Sequence, residues 1–193
     1  ASLHPKMKII QSLMEPLNIY NIGTKNERAR KAKEMLEIVG LDEKYADRYP
    51  HEFSGGQRQR ICIARSLMLN PKLVILDEAV SALDVSIQSQ ILNLLKKLQK
   101  EFNLTYLFIS HDLSVVNYLC DEVSVMYLGK IVEQGNVDQV FEETSHPYTK
   151  SLLSAIPSTD IKQKRDRIIL RGDVPSPANP PSGCGFRTRC PLA

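Results

Sequence analysis

Long hydrophobic runs are missing from this sequence, and so is a strong net charge. The longest apolar stretches, such as residues 73–76 and 106–109, are far shorter than the roughly 20 residues that a membrane-spanning helix needs. Residues 1–5 do not have the apolar core of a secretory signal. A net charge of +3 over 193 residues gives no reason to expect nucleic acid as a partner. We therefore expect a cytoplasmic protein that reaches a membrane only through another protein.

Cysteine is also scarce. Of the four cysteines, Cys62 and Cys120 lie in segments with the pattern of regular structure, so we expect them to be buried as small hydrophobic side chains rather than paired in disulfides. The hydrophobic share of 42% and the charged share of 24% are typical of a globular chain. The length allows one domain with a sizeable core, or a domain with an appendage.

The first part of the chain, residues 1–53, has a helical pattern. Thr24 and Glu27 have the spacing of a capping box, and Gly40 stands where a glycine commonly ends a helix. A weaker helix is expected over residues 8–19, interrupted or ended near Pro16.

Residues 54–156 alternate between helical and strand patterns. The continuous apolar run 73–76 and the segment 105–109 flank a long amphipathic helix, which predicts two parallel strands buried on both faces. A hairpin turning at Gly129-Lys130 and two short helices should follow. Six of the eleven prolines lie from residue 157 onward, so residues 157–193 are expected to form an irregular extension.

Polar side chains follow both predicted parallel strands. The first strand ends in Asp77-Glu78, and the second is followed by His111. Ligands of open α/β sheets bind beyond the carboxyl ends of such strands. In metal-dependent nucleotide hydrolysis one acid helps to hold Mg²⁺, and a second can polarise the attacking water.

A glycine-rich helix start offers a second element for binding anions. Gly55 and Gly56 leave backbone N–H groups unobstructed, and Ser54 can both cap the helix and donate its hydroxyl. An isolated Ser-Gly-Gly is also compatible with a plain helix cap.

In combination these segments resemble the nucleotide-binding domain of ATP-binding cassette (ABC) transporters. Residues 54–57 match the family signature, 73–77 the Walker B strand, Glu78 its catalytic glutamate, 81–84 the D-loop and His111 the switch histidine. The resemblance is closest to the oligopeptide and dipeptide importers, through residues 2–7, Leu83-Asp84-Val85-Ser86, His146-Pro147-Tyr148-Thr149 and the tail 175–191. It implies an α/β fold, a partial P-loop NTPase domain with a mostly parallel sheet and a helical signature subdomain.

The resemblance also implies roles for single residues. Two such domains would clamp ATP between them, with Ser54, Gly55, Gly56 and Gln57 facing ATP held mainly by the other subunit. Glu78 would be the general base, Asp77 would serve Mg²⁺, His111 would touch the γ-phosphate and Asp84 would couple the two sites.

The function implied is that of the ATPase subunit of a peptide importer. It would work with a second ATPase subunit, identical or paralogous, and dock on a transmembrane permease at the inner face of the cell membrane. Peptides follow from the branch resemblance alone, which leaves nickel or sugars open. An ATPase of DNA repair is disfavoured because residues 1–53 are too short for its coiled coils. A non-hydrolysing module that docks on a permease or partner ATPase is the alternative.

Two departures limit this interpretation. No Gly-x-x-x-x-Gly-Lys followed by Ser or Thr is present, and Gly129-Lys130 precedes Ile131, so we expect a fragment of a longer enzyme that is inactive by itself. In the tail, Cys184 and Cys190 match two cysteines that can ligate an iron–sulfur (4Fe-4S) cluster in the branch. Such a cluster normally needs four thiolates, so the resemblance implies a cluster only for the longer protein.

Overall fold

The computed structural model describes residues 3–156 and 167–193. They form two compact units, Ala1–Ser110 and His111–Ala193. Residue 2 of the stretch matched to the peptide importers, and residues 157–166 of the expected extension, lie outside the described residues. The domain boundaries expected at 53/54 and 156/157 stay predictions. None of the helices in the described ranges is long and apolar enough to cross a membrane.

Four helices build most of the first unit, namely α1 (Ile9–Ile19), α2 (Lys25–Ile38), α3 (Gly55–Leu67) and α4 (Val85–Phe102). The expectation that Pro16 interrupts or ends the first helix is wrong, because α1 continues through it to Ile19. A proline removes one helical hydrogen bond, but Leu13 and Leu17 of the same helix are buried in the core. We infer that this packing holds the helix together.

The expected helix caps of α2 are confirmed. The Thr24 hydroxyl accepts a hydrogen bond from the Glu27 N–H (3.3 Å), and the Glu27 carboxylate accepts one from the Thr24 N–H (2.7 Å). Gly40 has a φ of +77°, a left-handed conformation that glycine adopts without steric cost. Arg60 of α3 donates to the carbonyl of Val39 (2.7 Å), which ties the end of α2 to α3.

The strands β1 (Leu73–Asp77) and β2 (Thr105–Ile109) pair in parallel, as expected. One face of this sheet is packed: Val74 and Leu76 are buried, and the Tyr106 hydroxyl donates to the Leu95 carbonyl of α4 (3.0 Å). The expectation of burial on both faces is wrong, because side chains alternate and nothing among the described residues covers the other face. That face exposes four apolar side chains, Leu73 (54%), Ile75 (60%), Leu107 (51%) and Ile109 (46%).

The second unit is built on an antiparallel hairpin of β3 (Glu122–Tyr127) and β4 (Lys130–Asn136). Its turn is formed by Leu128 and Gly129, both with positive φ, one residue earlier than expected. The sheets of the described residues are therefore one parallel and one antiparallel pair, rather than a mostly parallel sheet. Three short helices complete this unit: α5 (Leu113–Leu119), α6 (Val137–Glu142) and α7 (Pro147–Ser154).

An aromatic cluster anchors the C-terminal segment to this unit. Phe186 is 1% exposed, and its ring centroid lies 5.2 Å from that of Tyr127, 5.5 Å from that of Tyr148 and 5.6 Å from that of His146. Within 167–193 the only regular element is a short 3-10 helix, Arg187–Arg189, so this part of the extension is irregular as expected.

Glu133 of β4 holds the start of α7. Its carboxylate accepts hydrogen bonds from the Thr144 hydroxyl (2.9 Å) and from the N–H groups of Ser145 (2.6 Å) and His146 (3.2 Å). Burial works to raise the pKa of Glu133, but the nearby Thr149 hydroxyl and these three donors outweigh it and lower the pKa. The Thr149 hydroxyl is buried and forms no hydrogen bond of ordinary geometry with the described residues.

Glu133→Ala should lower the free energy of unfolding by about 2 kcal/mol, because several donors lose a charged acceptor. A carboxyl group with a lowered folded-state pKa stabilises fully above its ordinary pKa of about 4.3, and the stabilisation is lost as pH falls through the folded-state value. Urea unfolding from pH 7 to pH 3 should therefore show the variant and the parent converging at acid pH. Glu142→Ala, at an exposed position, is the control. A constant difference at all pH values would contradict this role.

The exposed sheet face predicts that the 193-residue chain self-associates in solution, since water-exposed apolar surface favours association. Ile75→Lys should shift sedimentation velocity profiles toward monomer. Ile131→Lys, at a similarly exposed isoleucine of the hairpin, should not. A parent chain that stays monomeric at high concentration would contradict the prediction.

Candidate functional site

The glycine turn, residues 54–57, begins α3 and is held by a capping box. The Ser54 hydroxyl accepts from the Gln57 N–H (3.3 Å), and the Gln57 side-chain oxygen accepts from the Ser54 N–H (3.0 Å). A serine hydroxyl that accepts in a cap still has its own proton to donate. Ser54 and Gly55 are exposed, so the first turn of α3 presents polar groups to solvent at the positive end of the helix dipole.

Both glycines of this turn lie against the start of α4. A Cβ on Gly55 would meet a methyl of Leu83 at 3.4 Å, which is ordinary contact. A Cβ on Gly56 would collide with the Cγ2 methyl of Ile87. Gly56 is buried, and its lack of a side chain is what allows this approach.

The acid pair, Asp77 and Glu78, stands at the carboxyl end of β1, and both residues are exposed. The Glu78 N–H donates to the carbonyl of Ile109 (3.0 Å), which extends the parallel ladder by one bond. Glu78 has a φ of +48°, a left-handed conformation that is costly for a residue with a side chain. Such strain is found often at functional sites and persists only where the surroundings enforce it.

The linking segment, residues 78–84, joins the acid pair to α4. The Glu78 carbonyl accepts from the Ser81 hydroxyl (3.0 Å) and N–H (3.4 Å). Asp84 then caps α4, because its carboxylate accepts from the Ile87 N–H (2.9 Å). The first unit therefore brings the glycine turn into contact with the segment that follows the acid pair.

The remaining predicted site residues belong to the second unit. His111 is exposed and precedes Asp112, which caps α5 by accepting from the Ser114 N–H (2.9 Å). Cys184 is exposed and Cys190 half-buried, and both are free thiols beside the 3-10 helix. Across residues 3–156 and 167–193, no three His, Cys, Asp or Glu side chains are grouped so as to hold a metal ion.

The sequence analysis includes Leu83 in the D-loop match but gives neither Leu83 nor Ile87 a role in the site. Ile87 lies in the first turn of α4, the long amphipathic helix that the sequence predicts between the two strands. Its position three residues after the capping Asp84 was an available signal, because the residue whose N–H is capped lies in the first turn of its helix.

Two family models match the chain. The model described as ABC transporter matches residues 1–81, and the model described as oligopeptide/dipeptide transporter, C-terminal region, matches residues 132–193. The second match ends in the same tail that carries Phe186 and the two cysteines.

Curated relatives match over the full chain. The oligopeptide transport ATP-binding protein AppF of Bacillus subtilis is 57% identical over 100% of this chain, which covers 59% of that protein. The dipeptide transport ATP-binding protein DppF of Escherichia coli is 57% identical over 98% of this chain and 57% of its own length. A putative peptide import ATP-binding protein of Brucella ovis is 60% identical. The chain thus spans about three fifths of the length of these relatives.

A solved structure supports the fold. A dimeric ATP-binding cassette in a post-hydrolysis state, bound to ADP and Pi, is 31% identical to this chain, with a TM-score of 0.61. The match covers 70% of this chain and 59% of that one. The expected α/β cassette fold is confirmed.

Asp84→Ala should lower the free energy of unfolding by about 1 kcal/mol, because α4 loses its cap. Asp84→Asn should keep most of that stability, since asparagine caps helices about as well as aspartate. Urea denaturation of both variants beside the parent tests this. Equal losses in the two variants would show that the negative charge, and not the cap, stabilises the segment.

Proposed function

Because this chain belongs to the ABC transporter family, and within it to the oligopeptide/dipeptide branch, we propose that it is part of an ATP-hydrolysing subunit that energises peptide import through a membrane permease. The names of the relatives, oligopeptide and dipeptide transport ATP-binding proteins, support peptides as the cargo. One structural observation carries the proposal most directly. Within the first unit, a helix start suited to anions packs against the segment that follows a strand-end acid pair.

The glycine turn would bind the γ-phosphate of ATP. Ser54 would donate its hydroxyl, and the N–H groups of Gly55 and Gly56 would approach the phosphate oxygens without side chains in the way. Gln57 would keep Ser54 oriented through the capping box. Because this turn lies at the exposed start of α3, we propose that its ATP is held mainly by a second ATPase subunit.

The acid pair would serve the hydrolytic chemistry. The Asp77 carboxylate supplies oxygen ligands of the kind that Mg²⁺ prefers, directly or through water, and so fits the metal. When bound, Mg²⁺ would neutralise charge on the phosphates. Glu78 would act as the general base by accepting a proton from the attacking water. Glu78 has a left-handed backbone conformation at the end of β1, and such strain is found often at functional sites.

Roles are also proposed for His111 and Asp84. The His111 imidazole is proposed to donate a hydrogen bond to the γ-phosphate. Asp84 is proposed to couple the two ATP sites across a dimer of ATPase subunits, in addition to capping α4. The dimeric state of the similar solved cassette supports a paired arrangement.

We propose a membrane permease as the second partner, which would place the subunit on the inner face of the cell membrane. The helices α1 and α2 would contribute to the surface that meets the permease. An iron–sulfur cluster does not fit the described residues, because Cys184 and Cys190 have no third ligand grouped with them. No step of the proposed mechanism depends on one.

A chimera that joins the upstream part of AppF to this chain tests the proposal. It should hydrolyse ATP in the presence of Mg²⁺, and Glu78→Gln should lower turnover by about 100-fold or more while ATP binding persists, because the general base is lost. Phosphate release measures turnover, and fluorescence titration with a labelled ATP measures binding.

Glu101→Gln, at an exposed position of α4, is the control and should leave turnover unchanged. If the chimera binds ATP but none of the versions hydrolyses it, the chain is a docking module rather than part of an enzyme. If the chimera does not bind ATP, the proposed function is wrong.

A further inference from the structure

The last part of the second unit is attached through a single buried side chain. Between residues 167 and 193, Phe186 alone is buried, at 1% exposure, and the other side chains are exposed or half-buried. The 3-10 helix Arg187–Arg189 is the only regular element of these residues. Their attachment to the hairpin and α7 therefore depends largely on where Phe186 lies.

The His146-Pro147-Tyr148-Thr149 motif, which has no role in the proposed hydrolysis, forms much of the site that receives Phe186. We call the rings of Tyr127, His146 and Tyr148, each within 5.6 Å of the Phe186 ring between centroids, the aromatic seat. The rings of Tyr127 and Tyr148 also contact each other, with centroids 4.8 Å apart. The edge of one ring meets the face of the other between Tyr127 and Phe186, an arrangement that aromatic pairs prefer.

The residue types of the motif follow from its place at the start of α7. His146 is the N-cap, because its Nδ1 accepts a hydrogen bond from the Tyr148 N–H (3.2 Å). Pro147 occupies the first helical position, where a missing N–H has no cost. Asparagine or aspartate would cap this helix as well as histidine does, but neither has a ring. His146 thus combines a helix cap with one wall of the aromatic seat.

A second attachment lies at Ile168, also on α7. The Ile168 carbonyl accepts from the Ser151 hydroxyl (3.1 Å), and the Ile168 N–H donates to the Ser154 hydroxyl oxygen (3.0 Å). These two bonds involve no residue of the aromatic seat, so they can persist when Phe186 leaves it. Residues 169–193, which we call the strap, would then be held at one end only.

The strap carries two thiols in different surroundings. Cys184 is exposed, whereas Cys190 is half-buried and directly follows the 3-10 helix that Phe186 begins. Because the backbone between Phe186 and Cys190 forms this short helix, movement of Phe186 out of the seat would move Cys190 with it.

We propose that Phe186 and the aromatic seat form a latch. When Phe186 leaves the seat, the strap opens about Ile168 and exposes the Cys190 thiol, while the hairpin and α7 stay folded. Segments with few buried contacts open locally at a much lower free energy than the whole fold. The latch lies within the second unit and does not rest on the proposed function, so either can fail without the other.

Labelling of the 193-residue chain with iodoacetamide tests the latch without any nucleotide. Mass spectrometry after digestion quantifies each cysteine, and each rate is divided by that of the same thiol in urea. In the parent, Cys190 should be protected about tenfold and Cys184 hardly at all, since thiol reactivity depends on access. Phe186→Ala should bring Cys190 to within about twofold of its rate in urea. Leu192→Ala, at an 83% exposed position of the strap, is the control and should change neither rate.

Hydrogen exchange of the same variants separates a latch from a part of the core. In Phe186→Ala, the amides of β3, β4 and α7 should keep their protection while Cys190 loses its own. Loss of protection in the strands together with Cys190 would overturn the proposal, because Phe186 would then support the whole unit. Equal Cys190 labelling in the parent and in Phe186→Ala would overturn it as well.

His146→Asn tests the part that the motif has in the latch. Asparagine keeps the cap of α7 and removes the ring, so exchange in α7 should stay as in the parent. Labelling of Cys190 should rise by about threefold or more, because Phe186 loses one wall of its seat. Unchanged labelling of Cys190 would show that His146 serves the cap alone and would overturn its role in the seat.

Discussion

The close approach of two helix starts, at Gly56 of α3 and Ile87 of α4, is the constraint on which the candidate site depends. A side chain at position 56 would push the helices apart and separate the glycine turn from the linking segment. Asp84 caps α4 by accepting a hydrogen bond from the N–H of Ile87, so the helix cap lies directly beside this apolar contact. The Gly56–Ile87 contact and the Asp84 cap thus hold the glycine turn against the segment that follows Glu78.

The local features of this fold follow from short sequence patterns. The capping boxes at Thr24 and Ser54 join residues three apart, and the left-handed residue after α2 is a glycine, so neighbouring positions suffice to predict them. The predictions that failed concern positions where tertiary packing, rather than the local sequence, determines the structure. Pro16 stays within α1 because Leu13 and Leu17 are buried, and Ile75 is exposed because nothing described covers its side of the sheet.

Some features of the candidate site also follow from the local sequence, whereas others depend on tertiary packing. The motif order predicted which residues stand at helix starts and at the strand end, because these places are fixed by local structure. The contact between Gly56 and Ile87 joins residues 31 positions apart and depends on how two helices pack, which no local pattern contains. The roles of Ser54, Glu78, Asp84 and His111 stay proposals. Ser54 and Asp84 also serve as helix caps, so their loss would affect stability and activity together.

The central claim is that the glycine turn meets an ATP molecule held by a second subunit. Sedimentation of the AppF chimera carrying Glu78→Gln, with Mg²⁺ and either ATP or ADP, tests it most directly. The account predicts a dimer with ATP, a monomer with ADP, and loss of the ATP-dependent dimer when Ser54→Arg fills the phosphate-facing side of the turn. The same oligomeric state with both nucleotides, or a dimer that Ser54→Arg leaves intact, would contradict it.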